Sequence, residues 1–171
     1  MKSRKTKQNL LIVLMIVLVI GCDQISKILV RQSIPYNHEI SIIDHFLTVI
    51  KVENTGAFLS LGNSLPKGVY NILMIILPLV VLAYALYYMF TKSDLTKITI
   101  LGLGLIISGG LGNIIDRILF GSVTDFLFFD FYIFHTGIVN IADISVTAGF
   151  FILIFELLIQ HRKNKAATSK V

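Results

Sequence analysis

The chain has 171 residues, 55% of them hydrophobic, and its 15 Lys and Arg against 10 Asp and Glu give a net charge of +5. A mean hydropathy of +0.82 lies far above that of an ordinary soluble domain, and too little polar chain remains for a sizeable water-soluble fold. No nucleic-acid surface is expected either, because the basic residues gather at the ends of apolar runs. Lys2, Arg4, Lys5 and Lys7 precede the first run, Lys92 and Lys97 lie around a short gap, and Arg162, Lys163, Lys165 and Lys170 follow the last run.

Four runs come near the roughly 20 residues that cross a bilayer as helix. They predict spans at about residues 8–30, 68–90, 97–115 and 139–160. The expected fold is an all-α membrane protein, a four-transmembrane-helix bundle in which residues 1–171 make one integral-membrane domain. An even number of spans puts the three basic clusters on one side, which the positive-inside rule makes the cytoplasm. Both termini then lie inside, and residues 31–67 and 116–138 form extracytoplasmic segments.

The first helix passes through Cys22, the only cysteine, so an intramolecular disulfide is excluded. Val19-Ile20-Gly21-Cys22 behind a basic start also resembles a lipoprotein cleavage box, which leaves open that the first run is a removable signal. Asp23 and Lys27 are four apart on one helix face and read as an ion pair capping the outer end of the helix. The sharper alternative has Asp23 bracing a nearby active-site loop. Residues 33–66 carry turn signals at Pro35, Asn37 and Gly62-Asn63-Ser64. Phe46 to Glu53 is β-branched and aromatic enough for a short strand or hairpin on the membrane, a small extracytoplasmic β-rich segment. It ends at Asn54-Thr55-Gly56, where Gly56 permits either a plain turn or one whose exposed backbone groups pair with an extended peptide.

Pro78 should kink the second span, with Tyr84, Tyr87, Tyr88 and Phe90 as an interfacial belt at its inner end. In the third span Gly104, Ser108 and Gly112 form a close-packing stripe, beside a second stripe of Gly109, Asn113 and Arg117. Asp116 and Arg117 read as a salt-bridged helix end, whereas Asn113 at membrane depth needs a specific partner. Phe126, Phe128, Phe129, Phe131, Tyr132 and Phe134 then crowd around Asp130 in a segment suited to the headgroup region. The fourth span opens with Asn140, Asp143 and Thr147 on a face looking into the bundle. Glu156 near its inner end is placed to be neutralised by Arg162 or Lys163.

This topology brings Asp23, Asn54, Arg117, Asp125 and the start of the fourth span to one surface. Two carboxyls sharing a partly dry site cannot both ionise cheaply, so one keeps a proton. The ionised partner can activate water while the protonated one hydrogen-bonds a peptide carbonyl, as in aspartic proteases. Asp125 and Asp143 are the candidate pair. On the residues alone two rivals stay open: structural ion pairs of these aspartates with Arg117 and Lys27, and a proton or cation path of a transporter. No cofactor or metal is expected, since His38, His45, His135 and His161 show no ligand spacing. A serine hydrolase would need a Gly-x-Ser-x-Gly elbow that the chain lacks.

Asp23-Gln24-x-x-Lys27, Asn54-Thr55-Gly56, Gly109-Gly110-x-Gly112-Asn113-x-x-Asp116-Arg117, Val123-x-Asp125-Phe126 and Asn140-x-Ala142-Asp143 occur here in fixed order. In that order and spacing they resemble the motifs of the lipoprotein signal peptidases, or signal peptidase II, over all but the tails of the chain. The resemblance implies a multi-pass aspartyl endopeptidase of the bacterial cytoplasmic (inner) membrane with its active site near the outer face. It would cleave diacylglyceryl-modified prolipoproteins on the N-terminal side of the lipidated cysteine, in contact with membrane lipid and as a monomer. Asp125 and Asp143 match the catalytic positions. Asn54, Asn113, Arg117 and Asn140 match positions that hold substrate or the inhibitor globomycin, and Gly56 is grouped with them as substrate-binding. Asp23 matches a position needed for stability, with Lys27 and Asp116 as further structural support. Phe58 and Leu59 depart from the family pattern, which more often has alanine and phenylalanine there, and imply a bulkier loop wall.

Overall fold

A computed structural model describes residues 2–36, 38–56 and 65–168. Four helices, α1 (Lys2–Ser33), α2 (Lys67–Thr91), α3 (Lys97–Phe120) and α4 (Ile141–Thr168), each contain a stretch long and apolar enough to cross a membrane. Strands β1 (Glu39–Ile43), β2 (Leu47–Asn54) and β3 (Val123–Phe129) form one antiparallel sheet in the order β1-β2-β3. The Asn37, Gly62-Asn63-Ser64, Phe58 and Leu59 readings lie outside the described residues.

The helix ends and the sheet differ from the sequence expectation. α3 runs past the predicted end near 115 because Ile118, Leu119 and Phe120 continue it until Gly121 takes a left-handed turn at φ 76°, its N–H closing on Arg117 O at 3.1 Å. The β-rich segment also gains a strand, β3, from residues assigned only to the headgroup region. Instead of a simple kink at Pro78, α2 carries a π-helical segment at Ile72–Ile76. Pro78 has no N–H and its ring crowds the carbonyl four residues back, and one wide turn relieves both.

α3 is the central helix, and α1, α2 and α4 all pack on it. Ile12, Leu82, Met89, Ile100, Ile107 and Ile114 form the buried core, while Leu10, Leu14, Val17, Phe151 and Phe155 stay exposed on outward faces. Such apolar exteriors suit helices whose solvent is lipid. Lys5 Nζ donates to Thr91 O at 2.8 Å, tying the start of α1 to the end of α2. Glu156 does not pair with Arg162 as expected. Thr96 and Thr99, at the N-terminus of α3, donate their hydroxyls to it, Thr99 at 2.6 Å. The Lys163 side chain lies outside the described residues.

The small residues of α3 serve both neighbours. A Cβ on Gly112 would sit 2.6 Å from Asp23 Oδ2 of α1, and one on Gly109 only 2.3 Å from the Ala142 backbone oxygen of α4. Backbone cannot yield as a flexible side chain does, so Gly109→Ala is expected to destabilise by about 1–3 kcal/mol. Thermal denaturation in detergent checks this against Gly21→Ala, where nothing lies within 4 Å; equal midpoints would contradict the close approach.

Candidate active site

Strand pairing sets the first carboxylate in place. β2 pairs with β3 through Val52 opposite Asp125, Glu53 opposite Thr124 and Asn54 opposite Val123. Asn54 is therefore the diagonal same-face neighbour of Asp125, and its Nδ2 donates to Asp125 Oδ2 at 2.9 Å. An irregularity in β2 between Val49 and Val52 bends the strand beside this point, as bulges near sites often do.

The chain beyond β3 then brings in the second carboxylate. It turns at Phe131 to Phe134, with Tyr132 at φ 64°, and returns so that Val139 exchanges backbone bonds with Leu127 at 2.8 and 2.9 Å. This return stroke delivers Asn140 against Asp125, whose Oδ1 accepts from Asn140 Nδ2 at 2.6 Å. Asn140 is also the cap of α4. Asp143 N donates to Asn140 Oδ1 at 2.9 Å, and Asn140 N donates back to Asp143 Oδ2 at 3.2 Å. This reciprocal arrangement is a capping box with an aspartate at its third position. One asparagine thus touches both aspartates.

Asn113 supplies the partner that its depth demanded: its Nδ2 donates to Asp143 Oδ1 at 2.7 Å, while its Oδ1 accepts from Lys27 Nζ at 2.9 Å and Asn140 Nδ2 at 3.2 Å. Arg117 donates from Nη2 to Gly56 O at 2.8 Å and from Nη1 to Asn113 O at 3.3 Å. Gly56 N in turn donates to Asn54 Oδ1 at 3.0 Å. The exposed backbone groups expected at Gly56 are therefore both occupied, because the loop folds back onto Asn54 and Arg117.

The expected ion pairs are redistributed. Asp116 pairs with Lys27 at 3.0 Å and Arg31 at 3.1 Å rather than with its neighbour Arg117, and Lys27 pairs with Asp23 at 2.9 Å. Consecutive helix residues point about 100° apart, so Asp116 turns toward α1 and Arg117 toward the β2 end. Asp23 and Lys27 are wholly buried and do not merely cap an exposed helix end. Asp23 Oδ1 also accepts from Ala142 N at 2.9 Å, which braces the start of α4. No described cation forms a salt bridge with Asp125 or Asp143, which removes the structural ion-pair reading. Sequence reasoning missed Gln24, Arg31, Glu53 and Thr124, all of which join the polar network behind the site.

Asn54, Asn113, Arg117, Asp125 and Asp143 line a cavity of about 800 Å³ whose remaining wall is largely apolar. Thr147 lines this cavity, with Ile144 and Phe151 of the same helix, instead of looking into the bundle. Burial pushes the Asp125 carboxyl up to about 6; the Asn54 amide opposes that rise, the Asp143 charge adds to it, and the Asn140 amide and Lys27 oppose it. A carboxyl so perturbed beside a second one suits acid–base work.

Two carboxylates brought to one cavity among membrane helices are the arrangement that a membrane-embedded aspartic peptidase, as a class, requires. The family described as signal peptidase (SPase) II matches residues 15–159. The lipoprotein signal peptidase of Clostridioides difficile is 38% identical over 159 residues, covering 91% of this chain and 100% of that protein. That of Streptococcus pneumoniae is 34% identical over 152 residues, covering 89% of this chain and 95% of that protein. The fold is similar to a bacterial membrane enzyme structure solved by the in meso method at 2.3 Å resolution, with TM-score 0.79, 27% identity and 88% of each chain covered. A second such structure, at 1.9 Å resolution, gives TM-score 0.74 and 30% identity over 86% of this chain and 92% of the other. The chain belongs to the signal peptidase II family.

Proposed function

We propose that this protein removes signal peptides from diacylglyceryl-modified prolipoproteins, cutting on the N-terminal side of the lipidated cysteine, with Asp125 and Asp143 as the catalytic pair. One observation carries the reading: the two carboxylates line a single cavity and are joined through Asn140, while the apolar Ile144 and Phe151 of the same wall are exposed. A precursor then arrives sideways from the bilayer with its acyl chains still in lipid. Binding energy from those chains and from the signal helix holds the scissile bond at the dyad.

The ionised carboxylate takes a proton from water, whose oxygen attacks the scissile carbonyl carbon. The protonated carboxyl meanwhile donates to the carbonyl oxygen. When the tetrahedral adduct collapses, the C–N bond breaks and the cysteine amine leaves with the proton taken from water. Asn113 and Asn140 hold the dyad and face the substrate. Asn54 and Arg117, with Gly56 pinned between them, form the substrate-binding edge of the cavity, which globomycin would also occupy.

The basic clusters support a topology with both termini in the cytoplasm and the site near the outer face of the bacterial cytoplasmic membrane. Both carboxylates come from one chain, so a monomer suffices. Incubation of the purified protein with a diacylated precursor should release the signal peptide, and globomycin should block it. An unchanged precursor mass after incubation, or ion flux in proteoliposomes without processing, would overturn the reading.

The dyad works with one proton, and with Asp125 near 6 that proton is lost as pH rises past this value. Activity of the free enzyme, read as kcat/KM, is therefore expected to fall on the alkaline side. Asn54 favours the ionised form of Asp125 by donating to it, so Asn54→Ala should move the alkaline limb to higher pH. A limb that stays fixed or moves down would count against Asp125 as the group observed.

A further inference from the structure

We infer that Lys27 is a positioning residue for the dyad: acting through Asn113, it makes Asp143 the ionised partner that activates water and leaves Asp125 as the protonated one. This deepens the catalytic reading above and rests on it. An asparagine amide can face either way, and its neighbours decide which. Lys27 has only donors, and its Nζ stands 2.9 Å from Asn113 Oδ1. Turning that amide over would set NH₂ against ammonium, and Asn140 Nδ2 at 3.2 Å would oppose the turn as well. The Asn113 NH₂ is thereby committed to Asp143 Oδ1 at 2.7 Å.

A brace between α1 and α3 would need only the bonds of Lys27 to Asp23 and Asp116, at 2.9 and 3.0 Å. The third hydrogen bond goes to Asn113 instead, in a side chain with no exposed surface. Both oxygens of Asp143 then face donors, one an amide polarised by a buried cation and the other the backbone N–H of Asn140. Asp143 also lies in the first turn of α4, where the helix dipole favours negative charge. Asp125 sits on a strand, and among the described residues it accepts from the neutral amides of Asn54 and Asn140. The two carboxyls therefore differ in their support for charge, and the Asn113 amide that Lys27 orients supplies part of the difference.

The charged groups around Asp143 are Asp23 and Lys27 of α1, Asp116 and Arg117 of α3 and Asp125 of β3, with His135 on the cavity rim. The test is the pH dependence of kcat and kcat/KM for a diacylated precursor, using the full chain in detergent. Lys27→Met and, separately, Asn113→Ala should move the acidic limb to higher pH by about one unit or more, a loss of about tenfold per unit below the limb. For Lys27→Met, whose side chain has no exposed surface, KM should change little. Lys27 also lies near Asp125, so Lys27→Met should raise the alkaline limb too, whereas Asn113→Ala should move mainly the acidic one. Lys27→Arg keeps the charge and should recover part of the shift.

Asn113→Ala leaves both ion pairs of Lys27 in place, so it decides the matter even where Lys27→Met does not fold. An acidic limb that stays put in Asn113→Ala, or in folded Lys27→Met, overturns the proposal however much amplitude is lost. A brace that only holds the fold lowers the amount of active enzyme without moving its profile. Cleavage by Asp143→Asn would sink the dyad itself, whereas an unmoved limb beside an inactive Asp143→Asn sinks only the role of Lys27.

Discussion

Asp125→Asn and Asp143→Asn are each expected to slow cleavage of a diacylated precursor by about 10³-fold or more, because each removes one half of a single acid–base unit. The substitution is nearly isosteric, so its structural cost is small and can be anticipated. Both oxygens of each aspartate accept hydrogen bonds, Asp125 from Asn54 and Asn140, Asp143 from Asn113 and the Asn140 backbone. The introduced NH₂ meets one of these donors in each variant, which costs about 1–3 kcal/mol and leaves four packed helices otherwise intact. Helicity and thermal midpoint should therefore persist while turnover vanishes. The double variant should be no worse than either single one, since neither carboxyl works without the other. A single variant retaining full activity, or a double variant whose loss is the product of the two, would sink the assignment of a cooperating pair.

Asp125 and Asp143 were legible in the sequence because polar groups inside apolar segments are costly and need a reason. The same logic singled out Asn113 and Asn140, and the structure gives each of them bonds to an aspartate or to its backbone. Gln24, Arg31, Glu53 and Thr124 were not legible. Each sits where a polar side chain could as well face water, and only the pairing of β2 with β3 and the packing of α1 on α3 bring them together. Asp116 was misassigned for a related reason. Nearness in sequence suggested Arg117, but helix geometry sends the two side chains in different directions, and the true partners lie some ninety residues away on α1. Glu156 was read for a cation alone, and the threonine hydroxyls of Thr96 and Thr99 that donate to it were not anticipated. Strand β3 was hidden because its aromatic run fits a membrane-surface segment as well as a strand, and pairing is a long-range property that local composition does not encode.

Asp116→Ala is expected to destabilise the protein by about 3–5 kcal/mol, the range for opening a buried ion-pair network on one side. Asp116 has no exposed surface; it forms ion pairs with Lys27 and Arg31 at 3.0 and 3.1 Å and accepts a hydrogen bond from Gln24 at 3.2 Å. Without it Lys27 keeps Asp23, but Arg31 is left with the ring of Phe120 and the hydroxyl of Thr124. That hydroxyl in turn donates to Glu53 at 2.8 Å, and Ser122 donates to the same carboxylate at 2.6 Å. One carboxylate therefore ties α1 to α3 and, through Arg31, to both strands that carry Asn54 and Asp125. Thermal inactivation in detergent is the measurement, with Ser41→Ala as the control, since the Ser41 hydroxyl donates to Asp44 on the exposed sheet and its loss should stay within about 0.5 kcal/mol. Equal midpoints for the two variants would mean that apolar packing on α3 alone holds the sheet in register. A large drop for Asp116→Ala, with most lost activity explained by lost folded protein, would separate its role from that of Asp125, whose replacement kills turnover in a molecule that stays folded.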